Sequence, residues 1–355
     1  MPTTSFFDAI KSQIQANKPF VLYSDFGKSS IKVMLQQNSK AYKASDFQEK
    51  GFVFSPFDST LPTYLIPSSA SKTVEIEATS ASFEKRSTTE LKSDSKIHKN
   101  LIRSAIEEIK STALEKVVLA RTTVLEFENC NAIALFLSIA KSYPRAYSYC
   151  WFHPKTGFWL GASPETLLKI KDRKVTTMAL AGTQVYDGST QIDWDQKNYE
   201  EQEFVTEYLK EELSEHLTDL EVSSPKTIKA GKLLHLQTTL SGRLNSSSDA
   251  LKNLIFNIHP TPAVCGTPKP LAMHFITQNE SIQRAYYSGF LGELNMPNDH
   301  QAHQTNLVVN LRCMHLDGNR ATLFAGGGIT SKSDPDTEWH ETEAKLNTIK
   351  SALES

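Results

Sequence analysis

Cysteine is scarce in this chain, and its arrangement excludes two classes of protein. The 355 residues include only Cys130, Cys150, Cys265 and Cys313, and no two of them form a CxxC pair. A zinc site or a disulfide framework needs closer, repeated spacing. A chain of this length also buries a large core without such cross-links. We therefore expect reduced thiols in a reducing compartment.

Long apolar runs and an excess of charge of one sign are absent too. No segment approaches the roughly 18 apolar residues that span a bilayer. The first residues lack the basic and apolar regions of a secretory signal; they read MPTTSFFDAIKSQIQANKPF. The formal net charge of -2 gives no electrostatic footprint for nucleic acid. The sequence predicts a cytoplasmic protein that binds neither membrane nor nucleic acid.

Several common catalytic motifs are missing as well. The chain has no Walker loop and no G-x-G-x-x-G pattern, which disfavours nucleotide binding. It also has no Gly-x-Ser-x-Gly elbow and no His-Glu-x-x-His pair. The usual signs of a serine hydrolase and of a zinc protease are therefore lacking.

The first 95 residues differ in pattern from the rest. Short apolar runs at 20–23 and 51–54, broken by Pro, Gly and Ser, predict strands and loops over residues 1–75. Residues 69–95 are rich in Ser, Thr, Glu and Lys, which indicates an exposed connection. We predict a mainly β segment over 1–95, within the same globular unit as a main domain over 96–355.

Helical and strand patterns alternate in the main domain. The helical period predicts helices at 97–113, 131–142 and 196–217, and Asp334-Pro335 supplies the cap and first proline of a last helix. Long hairpins between helices indicate an α+β fold. The predicted strands and hairpins cover 116–125, 146–153, 158–162, 166–181, 227–244, 288–294, 307–315 and 321–325.

Lys116 and Glu165 are candidates for acid–base chemistry. Lys116 begins an apolar run that predicts a buried strand, and burial is what makes a lysine a usable base near neutral pH. Its alternative is an edge lysine whose ammonium reaches water. Glu165 follows a predicted strand at a proline turn, where a carboxyl group would face a cleft. Its alternative is a solvated turn carboxylate.

Carboxylates on two predicted helices form a candidate metal site. Glu201 shares a helical face with apolar residues, so it points inward. Glu338, Glu341 and Lys345 share one face of the last helix, although a Glu–Lys pair at this spacing is also common on surfaces. Two inward carboxylates on separate helices suit a hard cation such as Mg²⁺.

Three further features could bind an anion or line a pocket. Gly326 opens a triple glycine that permits close backbone approach, or that forms a tight structural turn. Arg312 lies in an apolar run, where its guanidinium calls for a bidentate carboxylate partner. His235, between two leucines, is more typical of a satisfied core histidine than of a catalyst.

Taken together, these segments resemble the chorismate-utilising family, which includes isochorismate, salicylate, anthranilate and aminodeoxychorismate synthases. The resemblance covers about 95–355 and rests on the order and number of the motifs. The motifs are Lys116-Val-Val-Leu-Ala-Arg121, Gly161-Ala-Ser-Pro-Glu165, Leu180-Ala-Gly-Thr183, His235-Leu-Gln-Thr238, His259-Pro-Thr-Pro-Ala-Val-Cys-Gly266, Tyr287-Ser-Gly-Phe-Leu-Gly292, Ala325-Gly-Gly-Gly-Ile329 and Glu338-Trp-His-Glu-Thr-Glu-Ala-Lys345.

The resemblance implies the fold of anthranilate synthase component I, with large antiparallel sheets layered against helices. It implies that Lys116 is the base that activates water for attack at ring C2, and that Glu165 is the acid that protonates the departing C4 hydroxyl. It makes Glu201 and Glu341 the magnesium carboxylates. Glu338, one turn before Glu341, ranks below them, either as a water-mediated ligand or as a residue that supports the ligands. It places the following residues around the substrate: Gly182, Thr183, His235, Ala263, Val264, Arg312, Gly326 and Lys345.

Within the family, the motif forms look most like isochorismate synthases. A lysine at position 116 favours water over ammonia as the nucleophile. Salicylate synthase, aminodeoxychorismate or anthranilate synthase component I, and an inactive chorismate-binding subunit remain alternatives. Gln202 and Asn310 depart from the family pattern. We expect a monomer without an obligatory protein partner, in menaquinone or siderophore biosynthesis.

Overall fold

The computed structural model describes residues 3–77, 87–91, 94–230, 233–297 and 303–353. Within these ranges it leaves out the side chains of residues 3–6, 181, 183, 185, 197, 201, 230 and 233. In the described part of the chain, no helix is long and apolar enough to cross a membrane.

Four of the described helices, α2, α3, α4 and α7, begin where a short polar side chain caps them. The Asp94 carboxylate accepts from the Lys96 amide at 2.9 Å, and the Asn131 side chain accepts from two amides of the next turn. The helices are α1 (Thr3–Gln15), α2 (Ser95–Ser111), α3 (Ala132–Ser142), α4 (Gln196–Ser214), α5 (Ala250–Ile258), α6 (Lys269–Asn279) and α7 (Pro335–Leu353).

The strands are mostly short and joined by tight turns. In chain order they are β1 (Phe20–Ser24), β2 (Ser30–Gln36), β3 (Tyr42–Lys43), β4 (Gly51–Ser55), β5 (Tyr64–Pro67), β6 (Ser71–Glu77), β7 (Thr88–Leu91), β8 (Lys116–Phe127), β9 (Tyr147–His153), β10 (Gly157–Ser163), β11 (Thr166–Lys171), β12 (Lys174–Val185), β13 (Leu217–Val222), β14 (Lys226–Ala230), β15 (Leu233–Leu244), β16 (Gly266–Thr267), β17 (Phe290–Pro297), β18 (His303–Val309), β19 (Cys313–Asp317) and β20 (Arg320–Ile329).

Two antiparallel sheets organise these strands. The first sheet has the order β16-β8-β20-β19-β10-β9-β1-β2-β6, with β7 also paired to β8. The second has the order β13-β15-β12-β11-β18-β17-β4-β5-β3, with β14 also paired to β15. The predicted α+β class with large antiparallel sheets is confirmed.

The two sheets share an aromatic core, and helices cover their other faces. Phe54 of the second sheet lies 5.1 Å from the Trp151 ring of the first, between ring centroids, and both side chains are fully buried. Strand β1 alternates between two cores: Val21 packs in the aromatic one, and Leu22 packs against α1, α3 and α7 on the other face. Double-sided burial therefore explains why such strands are apolar at nearly every position.

The region before residue 95 contributes to both sheets. Strand β1 lies between β9 and β2, and β4 lies between β17 and β5. The two sheets are thus completed by strands from both ends of the chain.

Several local predictions differ from the structure. The predicted exposed connection at 69–95 contains strands β6 and β7, which pair with β2 and β8. Helices α1, α5 and α6 were not predicted, although Ala250, Leu254 and Ile258 do have helical spacing and are buried. The predicted strand at 227–244 consists of β14 and β15, which pair with each other. The predicted strand at 307–315 is interrupted because Arg312 has a positive φ of 49°.

Candidate functional site

The site lies where the chain crosses from one sheet to the other. Glu165 lies between β10 of the first sheet and β11 of the second, and Arg312 lies between β18 of the second and β19 of the first. The two crossings lie side by side, because the Val309 amide donates to the Glu165 carbonyl at 3.0 Å and the Ala162 amide donates to the Arg312 carbonyl at 3.1 Å.

The turn at Glu165 is held by a buried serine. Ser163 Oγ donates to the Val309 carbonyl at 2.6 Å and accepts from the Glu165 amide at 3.2 Å. The Glu165 side chain is buried, which raises the pKa of its carboxyl group to about 7, while Lys116 and Lys345 act in the opposite direction. Glu165 is therefore not the solvated turn carboxylate of the alternative interpretation, and it keeps a proton near neutral pH.

Lys116 begins β8 and lies against a glycine of β20. Gly328 pairs with Val118, and a Cβ atom at Gly328 would lie 2.9 Å from Lys116 Cε. The missing side chain therefore leaves the space that the lysine stem occupies. The sequence predicted that the triple glycine forms a turn or brings backbone close to an anion. The three glycines lie inside β20 instead, and the space at Gly328 is filled by the side chain of Lys116.

Of the other two glycines of β20, Gly326 makes room in the same way and Gly327 does not. A Cβ atom at Gly326 would lie 2.9 Å from the hydroxyl of Tyr287. At Gly327 it would lie 3.6 Å from Glu338 Oε2, which is an ordinary contact. Gly327 therefore points to α7, whereas Gly326 and Gly328 point to the opposite face, towards Tyr287 and Lys116.

Helix α7 brings two carboxylates and a lysine to the glycine segment of β20. Lys345 Nζ donates to the Gly326 carbonyl at 2.8 Å and forms an ion pair with Glu341 Oε1 at 2.6 Å. Glu338 is buried and accepts from Ser333 Oγ at 2.7 Å. The side chain of Glu341 is 45% exposed, so it lies at the mouth of the site.

Cations keep Glu341 ionised. Burial acts to raise the pKa of its carboxyl group, but Lys345, Lys116 and Arg312 outweigh burial and lower it. Glu165 and Glu341 therefore have pKa values shifted in opposite directions within one site. Such a separation is typical of groups that perform different proton tasks.

Arg312 joins its crossing to α7. Its Nη1 donates to the Lys345 carbonyl at 3.0 Å and lies 3.4 Å from Thr348 Oγ1. Burial lowers the pKa of the guanidinium, while Tyr287, Tyr143 and Glu341 act to raise it. Its described hydrogen bonds thus go to a backbone carbonyl and a hydroxyl, and not to the bidentate carboxylate that the sequence led us to expect.

His235 and Gly182 meet across β15 and β12. His235 Nδ1 donates to the Gly182 carbonyl at 2.9 Å, where the register of the two strands is shifted and Gly182 has a φ of 70°. Burial lowers the pKa of the imidazole, as do Arg312 and Lys345, so His235 is neutral. The side chain of Thr183 lies outside the described residues.

Helix α4 passes close to this turn. A Cβ atom at Gly182 would lie 3.0 Å from Asn198 Oδ1 of α4. Gln202 is buried and donates to Thr206 Oγ1 at 2.8 Å and to Thr238 Oγ1 of β15. Residue 201 therefore lies on a helix that is hydrogen-bonded to β15, the strand that carries His235. The side chain of Glu201 lies outside the described part of the structure.

Ala263 and Val264 belong to the loop that leads into β16, on the side of β8 opposite β20. The Val118 amide donates to the Cys265 carbonyl at 2.8 Å, two residues from Lys116. Val264 is buried among apolar side chains, and Ala263 is half-buried. The loop thus lies beside the start of the strand that carries the candidate base.

A cleft of about 540 Å³ opens elsewhere on the molecule. It is lined by residues that include Tyr23, Tyr147, Lys169 and Glu293, and no predicted site residue is among them. Ionisable groups act on one another in this cleft too, since burial and then Glu293 raise the pKa of Tyr23, and, although burial acts to lower the pKa of Lys32, Glu293 raises it. We place the chemistry at the crossings because the predicted acid–base and substrate-binding residues act on one another there.

Electrostatic influence shows which predicted residues the fold brings together. Lys116 and Lys345 both act on Glu165, and the same two lysines act on Glu341 together with Arg312. Two further residues were not predicted as part of the site. Tyr287 borders Gly326, and Arg284 contacts the loop of Val264. The Tyr287-Ser-Gly motif was a usable signal for the tyrosine.

Comparison with known proteins gives a consistent result. A family profile described as chorismate binding enzyme matches residues 62–354. The isochorismate synthase MenF of Escherichia coli strain K12 is 32% identical over 263 residues, which are 72% of this chain and 59% of that protein. The chain therefore spans less than two thirds of that relative's length.

Solved structures share the fold. The menaquinone-specific isochorismate synthase MenF of Escherichia coli gives a TM-score of 0.80 at 25% identity, covering 94% of this chain and 88% of that one. Anthranilate synthase component I of Streptococcus pneumoniae gives a TM-score of 0.67 at 18% identity, covering 93% and 92%. The expected anthranilate synthase-like fold is confirmed.

Proposed function

Because the chain belongs to the chorismate-binding enzyme family, we propose that it is an isochorismate synthase. The observation that carries the proposal is that Lys116, at the start of β8, acts on the pKa of the buried Glu165, in the crossing between β10 and β11. Moving a hydroxyl group from C4 to C2 of the ring requires a base for the incoming water and an acid for the departing group. The two residues supply these roles.

Glu165 acts as the acid. Burial raises the pKa of its carboxyl group to about 7, so a large fraction is protonated at neutral pH. The serine-held turn fixes its backbone, which limits the directions in which the proton is presented. Lys116 acts as the base, and the space left by Gly328 sets the path of its side chain. Lys116 in its neutral form takes a proton from the attacking water, and Glu165 gives its proton to the C4 hydroxyl, which departs as water. Proton exchange with solvent then restores both groups.

Chorismate carries two carboxylates, and the site offers fixed positive charge. Lys345 contacts β20 at the Gly326 carbonyl, Arg312 contacts α7 at the Lys345 carbonyl, and the neutral His235 lies on the other sheet. Of these, Lys345 and Arg312 can donate to a carboxylate, and preorganised donors of this kind favour the charge redistribution of the reaction. His235 uses its N–H for the Gly182 carbonyl, so we assign it to the wall of the site. We assign Gly182, Thr183, Ala263, Val264 and Gly326 to the wall around the ring.

We also propose that the site binds a magnesium ion. Glu341 is ionised and lies one helical turn from the buried Glu338, and carboxylate oxygens are the donors that Mg²⁺ prefers. Glu341 and Glu201 would hold the ion, with Glu338 contacting it through a water. A bound Mg²⁺ would supply charge stabilisation at a substrate carboxylate. The protein residues bind, orient and move the protons.

Product identification tests the proposal. Purified protein is incubated with chorismate and Mg²⁺, with and without ammonium and with excess chelator, and the products are identified by chromatography and mass spectrometry. Isochorismate without an ammonium requirement is expected, with activity lost in chelator. Salicylate would indicate a salicylate synthase, an aminated product would indicate an ammonia-using relative, and bound but unchanged chorismate would indicate an inactive binding subunit.

Other properties inferred from the sequence stay predictions. They are the cytoplasmic location, the monomeric state, the absence of an obligatory partner, and the place of the product in menaquinone or siderophore biosynthesis. The boundary near residue 95 also stays a prediction.

A further inference from the structure

Where β16 ends, a buried ion pair covers the side of β8 opposite β20. Strand β16 pairs with Lys116 and Val117 only, and β7 joins the same strand from Val124 onward. Between these two ladders, Glu280 at the end of α6 and Arg284 shortly after it lie against the strand. Their side chains are 3% and 4% exposed, respectively.

The pair makes the hydrogen bonds that a neighbouring strand would make. Glu280 Oε1 accepts from the Ala120 amide at 2.7 Å, and Arg284 Nη2 donates to the Val118 carbonyl at 2.6 Å. These backbone groups point to the side of β8 opposite β20. A buried backbone group without a partner is costly, so the pair satisfies an edge that the sheet leaves open.

Arg284 also reaches the loop that borders the site. Its Nη1 donates to the Val264 carbonyl at 2.9 Å, and its guanidinium lies over the Phe57 ring at 4.3 Å from the centroid. Nε and Nη2 donate to the two oxygens of Glu280, so the guanidinium has a fixed plane. One rigid group thus joins the strand of Lys116 to the loop of Ala263 and Val264.

We infer that the Glu280–Arg284 pair positions Lys116 relative to the substrate loop and is a positioning element for turnover. The part of this inference that concerns turnover rests on the proposed function. Neither side chain takes part in the proton steps. The pair acts through β8, because a displacement of about 1 Å at a reacting group costs on the order of 10²-fold in rate.

The test separates positioning from stability. Removing one partner alone leaves a buried charge and destabilises the fold, whereas replacing both with apolar side chains of similar size is often tolerated. The informative variant is therefore the double replacement Glu280→Met with Arg284→Met. Its matched control is Lys32→Met with Glu293→Met, which removes an ion pair of 2.9 Å that lies away from the site.

Two readouts are measured on folded protein. Hydrogen exchange of the amides from Lys116 to Arg121 should be at least about ten-fold faster in the Glu280/Arg284 double variant, and unchanged in the control. With chorismate as substrate, kcat should fall about 10²-fold with a smaller change in KM, and the single variant Arg284→Lys should recover part of kcat.

The possible outcomes test the inference about the ion pair and the proposed function separately. Wild-type exchange and wild-type kcat in the double variant would overturn the inference, and so would an equal loss in the Lys32/Glu293 control. If the double variant does not fold, Glu280→Gln is measured instead, since it keeps the packing but weakens the hold on Arg284. Wild-type exchange there would also overturn the inference. An inactive wild-type protein would refute the proposed function, while the exchange result would still decide whether the pair fixes β8.

Discussion

Glu165 is buried, and its carboxyl group is the proposed proton donor. Its carboxyl group lies at the crossing between the sheets, where its backbone is tied to Ser163 and Val309. Burial raises the pKa of this group from 4.5 to about 7. The same shift that makes Glu165 an acid at neutral pH has a consequence for stability.

The direction in which folding stability changes with pH follows from which state, folded or unfolded, holds the Glu165 proton. Between pH 4.5 and about 7 the unfolded chain releases the Glu165 proton and the folded chain keeps it. The contribution to folding stability is fully present below pH 4.5 and is lost as the pH rises through about 7. The loss is on the order of 3 kcal/mol, because each pKa unit corresponds to about 1.4 kcal/mol.

Replacing Glu165 with glutamine should therefore separate stability from activity. Gln mimics the protonated carboxyl group but does not ionise, so Glu165→Gln should be more stable than the wild type at pH 8 and similar to it near pH 4.5. Turnover should fall by at least about 10²-fold. Chemical unfolding at both pH values measures the first effect. A stability difference that does not change with pH would contradict the assigned burial of the charge.

Each glycine of the triple glycine in β20 lies against different neighbouring side chains. Gly328 faces the stem of Lys116, whereas Gly327 has contacts of 3.4 Å and 3.6 Å at the position of a Cβ atom. The atom that meets Gly328 is near the end of a flexible side chain, so an added methyl group would move the lysine and not the backbone.

Gly328→Ala should therefore lower kcat about 10²-fold by displacing Lys116, with little change in melting temperature. Gly327→Ala is the matched variant on the same strand and should have a much smaller effect. Steady-state kinetics and thermal unfolding of both variants check this. Equal kcat values for the two variants would show that Lys116 does not depend on the space at Gly328.

Helices α4 and α7 should share one magnesium ion. Glu201→Gln and Glu341→Gln should each raise the Mg²⁺ concentration needed for half-maximal turnover by about ten-fold or more, since each would remove an oxygen ligand. Glu211→Gln, at an exposed position of α4, is the control. Titration of Mg²⁺ against activity compares the three variants. Curves that coincide with the control would refute the paired carboxylate site.

The pattern of individual elements predicted much of the fold. Strand β8 was evident because its run of apolar residues is covered on both faces, and α7 was evident from Asp334-Pro335. The break at Arg312 was not predictable from hydrophobic pattern, since a positive φ leaves no periodic signal. Helix α6 did carry a signal, because Ala272, Phe275 and Ile276 have helical spacing.

The convergence of the site was harder to predict. Lys116, Glu165, Arg312 and Lys345 lie in four separate segments, and spacing within each segment gives no information about the distance between them. The resemblance to a family supplied their grouping, and the sheet crossings supply its physical reason. Arg284 was missed because a Glu–Arg pair at this spacing usually indicates an exposed helix face.

The molecule depends on its first 95 residues. Strands β1 and β4 are internal in the two sheets and bring six fully buried side chains: Phe20, Val21, Leu22, Phe52, Val53 and Phe54. At about 2 kcal/mol for each buried side chain, their loss is comparable to the whole stability of about 5–15 kcal/mol of a typical domain.

A chain that begins at Asp94 should therefore not fold on its own. It should lack a cooperative thermal transition and near-ultraviolet circular dichroism, both of which the full chain should show. A cooperative transition in the shortened chain would mean that the two sheets do not need β1 and β4.

Water as the nucleophile is the step that unites the candidate base, the candidate acid and the site around them. Conversion of chorismate in water enriched in ¹⁸O, with mass spectrometry of the isochorismate formed in the first turnovers, measures this step directly. The predicted product carries one ¹⁸O atom, at C2, and Lys116→Ala forms it at least about 10²-fold more slowly. Unlabelled isochorismate from the active wild-type protein would contradict water attack.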